Sequence, residues 1–394
     1  MLARFRAALL VGPLALALAL SGGAPSYAAG GPIATSLTPS YRDVHACGHA
    51  PAGWVACSAI RRDVSGTIGV TPHSGGATPS GFGPASLQSA YAVPATSTTA
   101  TVAIVDAYDD PSAESDLATY RSQYGLAACT TSNGCFRKVS QLGSTSLPAA
   151  NTGWAQEISL DLDMVSAICP SCHILLVEAD SSSIVDLAIA EETAATMGAV
   201  AISNSYGGSE FSGETAFDAA YNQPGIAVTV SSGDSGYGVE YPAASPFVIA
   251  VGGTSLSQPN GVWAETAWSG AGSGCSAYEP KPTWQTDTGC SRRTVADISA
   301  VADPNTGVAV YDSYGQGGWL VFGGTSVASP IVASMYAIAG NLASTASSVY
   351  GHPTSLRDVT SGSNGTCSPS YLCTAVSGYD GPTGLGTPQG VGAL

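Results

Sequence analysis

Between residues 101 and 251, short apolar runs alternate with stretches of helical spacing, and few folds accommodate that rhythm. Residues 101–106 (Thr-Val-Ala-Ile-Val-Asp), 173–179, 199–204, 226–231 and 247–251 read as buried strands. Residues 113–124, 154–168, 184–197 and 214–222 read as the helices between them, the second stopped by Pro170. Such alternation predicts an α/β domain with a doubly wound, mostly parallel sheet and helices on both faces. Ligands of these sheets bind beyond the carboxyl ends of the strands, and Asp106, Asn204 and Asp234 each lie just past one. No repeat or linker interrupts the chain after residue 100, so one domain is expected there.

Later in the chain stands Gly323-Gly324-Thr325-Ser326-Val327-Ala328-Ser329-Pro330, which opens an apolar helical run through Ile331, Val332, Met335 and Tyr336. Glycines let backbone approach a substrate closely, and Pro330 suits a first helical turn, which would fix where the helix begins. Ser326 then projects from a helix N-terminus, where free N–H groups favour developing negative charge. The stretch reads as a nucleophile site or as a plain turn with a hydroxyl cap, and these eight residues do not choose.

The compartment is easier to assign. Arg4 and Arg6, an apolar core over 7–20 and Ser26-Tyr27-Ala28 predict a signal peptide over residues 1–28. No later stretch holds the roughly 18 apolar residues of a membrane span, so a secreted protein free of the membrane is expected. Twelve Lys+Arg against 28 Asp+Glu give a formal charge of −16, which excludes nucleic acid as a partner and suits work in acid. The ten cysteines fall into neighbouring pairs: 47/57, 129/135, 169/172, 275/290 and 367/373. Five short-range disulfides are expected, with a redox or metal role for Cys169 and Cys172 as the alternative. Residues 29–86, rich in Gly, Pro, Ser and Thr, read as a short extension or propeptide, with Arg61-Arg62-Asp63 a candidate processing site.

A serine nucleophile needs a base. The five histidines (His45, His49, His73, His173, His352) lack the surroundings of a catalytic histidine in subtilisins or chymotrypsin-like enzymes. Gly233-Asp234-Ser235-Gly236 imitates the chymotrypsin serine motif, but Tyr237 replaces the next glycine and the fold signal is α/β. Carboxylates offer another base. Glu157 and Asp161 lie four apart on one helix face, where like charges share a proton and titrate together. A carboxylate base near its ordinary pKa of roughly 4 works only in acid. Asp163 adds a third acid; the plain alternative is a solvated acidic face.

Taken together, Glu157-Ile-Ser-Leu-Asp161, Ser232-Gly233-Asp234-Ser235-Gly236 and Gly323-Gly324-Thr325-Ser326 with Pro330 resemble the three signature blocks of the sedolisin family. These are serine-carboxyl peptidases of subtilisin-like fold, and the resemblance runs from about Leu87 to Pro388. It implies Ser326 as nucleophile, Glu157 as general base, Asp161 as its orienting and proton-sharing partner, and Asp234 as oxyanion donor. An ionised Asp234 would repel the oxyanion, so the resemblance implies a bell-shaped pH profile with an acidic optimum. Asp106 falls where family members carry a glutamate that extends the carboxylate network, and Tyr206 where they carry a tryptophan, which implies a substrate-binding role for Tyr206. Glu240 lines up with an acidic specificity-pocket residue, which would favour basic or polar side chains.

By the same resemblance, residues 358–384 look like a calcium loop holding one structural Ca2+. Asp358 and Asp380 would bind through side chains, and Val359, Val376 and Gly378 through carbonyls. Val376 departs from the family's usual glycine, and an Asx-turn loop tied by Cys367–Cys373 is the alternative. The largest departure is at the N-terminus, where only residues 29–86 stand in place of a long folded prodomain. The expected protein is a secreted, monomeric endopeptidase of polypeptides with its peptidase domain over 87–394. A subtilisin-type Asp–His–Ser peptidase using Asp106, and a catalytically silent binding protein on the same scaffold, are the other two readings.

Overall fold

The structure, a computed structural model, describes residues 40–64, 79–340 and 345–394. The signal peptide and His73 lie outside the described residues. Residues from Ser40 onward form one compact unit. In chain order its first elements are β1 (Tyr41–His45), β2 (Ala56–Cys57), β3 (Ile60–Val64), α1 (Pro84–Ala90), β4 (Thr101–Ala107), α2 (Ala113–Gln123), β5 (Phe136–Ser140) and α3 (Thr152–Ile168). Then come β6 (His173–Ala179), α4 (Ile184–Thr196), β7 (Ala201–Asn204), β8 (Tyr206–Ser209), α5 (Asp218–Tyr221), β9 (Ala227–Ser231), β10 (Glu240–Tyr241) and β11 (Ile249–Ser257). The site-bearing part closes with β12 (Ala264–Ala267), β13 (Gly274–Pro280), β14 (Arg292–Val295), β15 (Ile298–Val301), β16 (Val308–Asp312), β17 (Gly318–Gly323) and α6 (Thr325–Ala339).

The central sheet runs β12-β11-β9-β7-β4-β6-β5, with β15 also paired to β11, and every pairing except β12–β11 is parallel. This is the predicted subtilisin-like doubly wound sheet. From β4 the chain builds β6 and β5 on one side, then β7, β9 and β11 on the other, so strand order reverses between β4 and β7. Asp106 near the end of β4 and Ser205 just past β7 therefore face the crevice that such sheets use for ligands.

α3 starts where Asn151 accepts from Gly153 N and Trp154 N, and it packs among α1, α2 and α6. Every residue from Trp154 to Ile168 is buried. The solvated-face alternative for Glu157, Asp161 and Asp163 is thereby overturned. Asp163 looks away from the other two, accepting from Tyr311 N at 2.9 Å.

Pro330 is the sixth residue of α6, not part of its first turn, which corrects the expected helix start. Its missing N–H leaves the Ser326 carbonyl without the usual i−4 donor, and the Ser205 hydroxyl lies 3.4 Å from that carbonyl instead. The helix expected over 214–222 is two short pieces. The buried Glu214 carboxylate accepts from Phe211 N at 2.7 Å and turns the start into a 3-10 coil ahead of α5.

The N-terminal region is more integrated than its composition suggests. β1 and β3 form a hairpin, β3 joins β17, and β17 joins β16, making a second, four-stranded sheet. β2 joins the open edge of β8, whose other edge holds β10. Arg61, expected in a processing site, is buried, bonding Asp63 at 2.7 and 2.9 Å and Gln156 at 2.7 Å. A dibasic pair laced into a strand is not presented to a processing enzyme. All five expected disulfides are formed, with Cys169–Cys172 at the turn from α3 to β6. Among the described residues no helix is long and apolar enough to cross a membrane.

Candidate active site

Two glycines carry β17 into α6. Gly324 has φ +97, and a Cβ there would collide with the carbonyl oxygen of Ser58 and lie 2.7 Å from Asp234 Oδ2. The turn places Ser326, fully buried, in the first turn of α6 with a backbone N–H that no helical carbonyl takes. Its hydroxyl donates to Glu157 Oε2 at 2.8 Å and lies 3.2 Å from Ser205 O.

Behind Glu157 the site is a pocket of acids. Ser205 Oγ donates to Asp161 Oδ1 at 2.8 Å. Glu157 Oε1, Asp161 Oδ2 and both Asp106 oxygens are buried without a hydrogen-bond partner. Burial first, then the charges of Asp161 and Asp106, push Glu157 well above the ordinary carboxylate range, against the lowering effect of the Ser326 hydrogen bond. Burial likewise raises Asp161, against the Ser205 bond, and it raises Asp106 together with the charges of Asp161 and Glu178. Three carboxyls buried this close cannot all ionise and share protons among them.

Across from them, Asp234 Oδ1 accepts from Thr325 N at 2.7 Å and Thr325 Oγ1 at 2.8 Å. Oδ2 has no partner. Burial pushes Asp234 up to about 8 despite those two bonds, and the nearby Glu240 charge adds to the rise. A neutral Asp234 turns Oδ2 into a hydrogen-bond donor beside the Ser326 N–H. Glu240 lies on β10, with its carboxyl against Gly207 and Gly233, where a Cβ would collide with it. Burial lifts it to about 7. Glu240, Asp234, Gly207, Gly208, His45, Cys47 and Ser58 are among the residues that line a cleft of ≈ 410 Å³.

Tyr206 does not present its side chain to this cleft, contrary to expectation. Its ring packs 6.4 Å from that of Trp154, its hydroxyl donates to Asn204 Oδ1 at 2.6 Å, and it is wholly buried. Its backbone pairs with Cys57 of β2. Nor does a histidine serve Ser326. His45 lines the cleft wall, as does His49, yet the Ser326 hydroxyl is held by Glu157; His173 opens β6, and His352 Nδ1 lies 3.1 Å from Ser348 O. The Asp106–His–Ser reading thus finds no triad among the described residues. Ser205 and Thr325 were not identified beforehand as partners of the acids. Thr325 was visible inside the Gly-Gly-Thr-Ser motif, but nothing distinguishes Ser205 in so serine-rich a chain.

In the C-terminal loop, Asp358 Oδ2 accepts from Gly378 N at 3.0 Å and Ser377 Oγ at 3.2 Å. Asp380 accepts from Thr383 N, Thr383 Oγ1 and Val376 N at 2.8–3.1 Å. Burial pushes Asp380 up to about 7, and the Asp358 charge adds to this, so the two carboxyls are close enough to interact. The carbonyls of Val359, Val376 and Gly378 accept no hydrogen bond among the described residues. No group of three or more His, Cys, Asp or Glu that could hold a metal occurs among the described residues. A cation here would therefore lean on carbonyl oxygens beside two carboxylates, a donor set that fits calcium.

The sequence profile of the subtilase family matches residues 125–363. Kumamolisin from Bacillus sp. (strain MN-32) is 30% identical over 325 residues, 71% of this chain and 57% of that protein. Sedolisin from Pseudomonas sp. (strain 101) is 36% identical over 200 residues, 41% of this chain and 33% of that protein. Among solved structures, Pseudomonas sedolisin, a serine-carboxyl proteinase complexed with two molecules of pseudo-iodotyrostatin, superposes with a TM-score of 0.67 at 29% identity. That match covers 79% of this chain and 96% of the other. The chain spans 57% or less of the length of the curated relatives it matches.

Proposed function

We propose that this chain, a sedolisin-like member of the subtilase family, is a secreted serine-carboxyl endopeptidase that hydrolyses polypeptides in acid. The observation that carries the reading is the 2.8 Å bond from Ser326 Oγ to Glu157 Oε2 inside a buried group of carboxyls. Ser326 Oγ attacks the substrate carbonyl carbon as its proton passes to Glu157 Oε2. Asp161 and Asp106 share the extra proton within the acid pocket and hold Glu157 in place. The oxyanion that develops accepts from Ser326 N–H and from protonated Asp234. Collapse breaks the C–N bond, and Glu157 returns the proton to the departing amine. Water then repeats the sequence on the acyl-enzyme.

The pH limits follow from the two acids. Glu157 has no capacity for the serine proton once the acid pocket is fully protonated, which sets the acid limb. Asp234 loses its donor and becomes a repelling charge once ionised, which sets the alkaline limb. Its pKa of about 8 belongs to a cleft also lined by His45, Cys47, Cys57 and Ser58. Water admitted with substrate weakens the burial effect, so the alkaline limb falls below that value. Glu240 at the cleft wall favours a basic or polar residue before the scissile bond. One structural Ca2+ is proposed at Asp358 and Asp380 with the carbonyls of Val359, Val376 and Gly378; when bound it supplies the positive charge that keeps both carboxylates ionised. The chain acts as a monomer.

Casein or peptide cleavage across pH by Ser326→Ala, Glu157→Gln and each His→Ala tests the reading. Loss with the first two and retention in every histidine variant is expected. Loss in a histidine variant with retention in Glu157→Gln would return the site to a histidine base.

A further inference from the structure

Between β7 and β8 one residue touches both the acid pocket and the nucleophile. Ser205 is wholly buried; its hydroxyl donates to Asp161 Oδ1 at 2.8 Å and lies 3.4 Å from Ser326 O. Its own carbonyl oxygen lies 3.2 Å from the Ser326 hydroxyl. A serine hydroxyl has one proton to donate, so the two acceptors compete for it, and the shorter contact gives it to Asp161. The second acceptor is open because Pro330 brings no N–H to the Ser326 carbonyl. A nearby hydroxyl does something plainer. Ser203 Oγ lies 2.9 Å from Ser329 Oγ and fastens α6 to β7 without meeting an acid.

We propose that Ser205 is a positioning residue whose hydroxyl ties the ionisation of the acid pocket to the backbone of the nucleophile. The inference rests on Ser326 and Glu157 being nucleophile and base, and adds the group that keeps their pocket charged in acid. While Asp161 is ionised it accepts the Ser205 proton, and that bond favours its charged form. When Asp161 holds a proton on Oδ1 the bond reverses: Asp161 donates to Ser205 Oγ, and the hydroxyl proton turns to Ser326 O. The same reversal follows attack, when the pocket carries the extra proton from Ser326. The carbonyl so engaged belongs to the residue that bears the attacking oxygen.

The groups around Asp161 leave this part to Ser205. Glu157 on its own helix and Asp106 from β4 are the titratable groups that face it, and both are acids whose charge opposes its own. Glu178 of β6 acts on Asp106, and Asp234 acts on Glu157. Asp116 of α2 and Asp312 of β16 act on Asp163, which points elsewhere. Asp161 Oδ2 has no partner, so among the described residues Ser205 supplies the bond that Asp161 has.

The test follows peptide hydrolysis by the full secreted chain from about pH 2 to 9. Ser205→Ala should move the acid limb upward by about 1–2 pH units, the worth of one hydrogen bond to a charged group, with the alkaline limb of Asp234 in place. It should also lower the plateau kcat about two- to tenfold, through the Ser326 carbonyl left without a donor. Ser205→Thr, which keeps the hydroxyl, should restore the limb, and Ser203→Ala should leave it where it was. Pro330→Ala added to Ser205→Ala gives Ser326 O a helical donor, so it should recover the plateau and leave the limb displaced. An acid limb or plateau unmoved by Ser205→Ala, a limb moved equally by Ser203→Ala, or a limb returned by Pro330→Ala would overturn the inference and leave the peptidase standing. Hydrolysis retained in Ser326→Ala and Glu157→Gln would instead sink the nucleophile and base, and this inference with them. If Ser205→Ala is inactive at every pH, thermal unfolding in a Ser326→Ala background decides. The Tm gap between chains with and without the Ser205 hydroxyl should widen as pH rises from about 4 to 8 and Asp161 gains charge, whereas a constant gap refutes the bond's dependence on that charge.

Discussion

Asp234→Asn separates the oxyanion donor from the base. In the folded chain Oδ1 of Asp234 already accepts from Thr325 N and Oγ1, and the asparagine oxygen can keep both bonds. That leaves the amide nitrogen where the protonated Oδ2 stood, a donor that does not titrate. Above the alkaline limb, the unaltered enzyme should lose about tenfold in kcat/KM per pH unit as Asp234 ionises. The variant should lose none of this, so its advantage grows about tenfold per unit until another group intervenes. Asp234→Ala, which removes the donor at every pH, should cost about 10²–10³ in kcat, or about 3–4 kcal/mol of transition-state stabilisation. Peptide hydrolysis by the active enzyme between about pH 3 and 9 measures all three curves. If Asp234→Asn declines over the same interval as the unaltered enzyme, Asp234 is not the group behind the alkaline limb.

Other outcomes follow from other acids. Glu191 is wholly buried and pushed up to about 8, so its contribution to stability is complete below its unfolded pKa and is lost as pH rises through about 8. That loss amounts to about 4–5 kcal/mol. Glu191→Gln should flatten the fall of Tm with pH in this window, and an unchanged slope would refute the assignment. If calcium sits in the C-terminal loop, a chelator should lower Tm by several degrees, from about 2.7 kcal/mol of binding at a hundredfold excess over Kd, and Asp380→Asn should abolish the difference. Chelator-insensitive unfolding would leave that loop a plain turn. Glu240→Gln should reduce the preference for Arg over Leu before the scissile bond by about tenfold, whereas indifference of the unaltered enzyme to Arg would rule out an acidic pocket.

Much of this molecule was legible in its sequence because the informative signals were local. Strand β6 follows from the apolar run over 174–177 and helix α3 from a largely apolar stretch bounded by Asn151 and Pro170, and the acids of α3 stood out because no histidine offered itself. What escaped depends on contacts between distant segments. Pro330 sits inside α6 because a serine more than a hundred residues earlier approaches the carbonyl it leaves free. Residues 40–64 read as a loose extension because their pairing partners, β8 and β17, lie far along the chain, and a two-residue strand such as β2 carries no periodicity. Tyr206 was placed only by the position of a tryptophan in the family, but its ring is turned inward and wholly buried against Trp154.

The disulfides bear on how the chain reaches this state. Each cysteine is bridged to the very next cysteine in sequence, at separations of 10, 6, 3, 15 and 6 residues. Loops of this size close in about 10–100 ns, faster than wrong partners several tens of residues or more apart meet. A chain made N-terminus first completes each pair before the next has been synthesised. Oxidation can thus proceed in the order of synthesis, bridge by bridge, with no later exchange needed to sort native pairs from non-native ones.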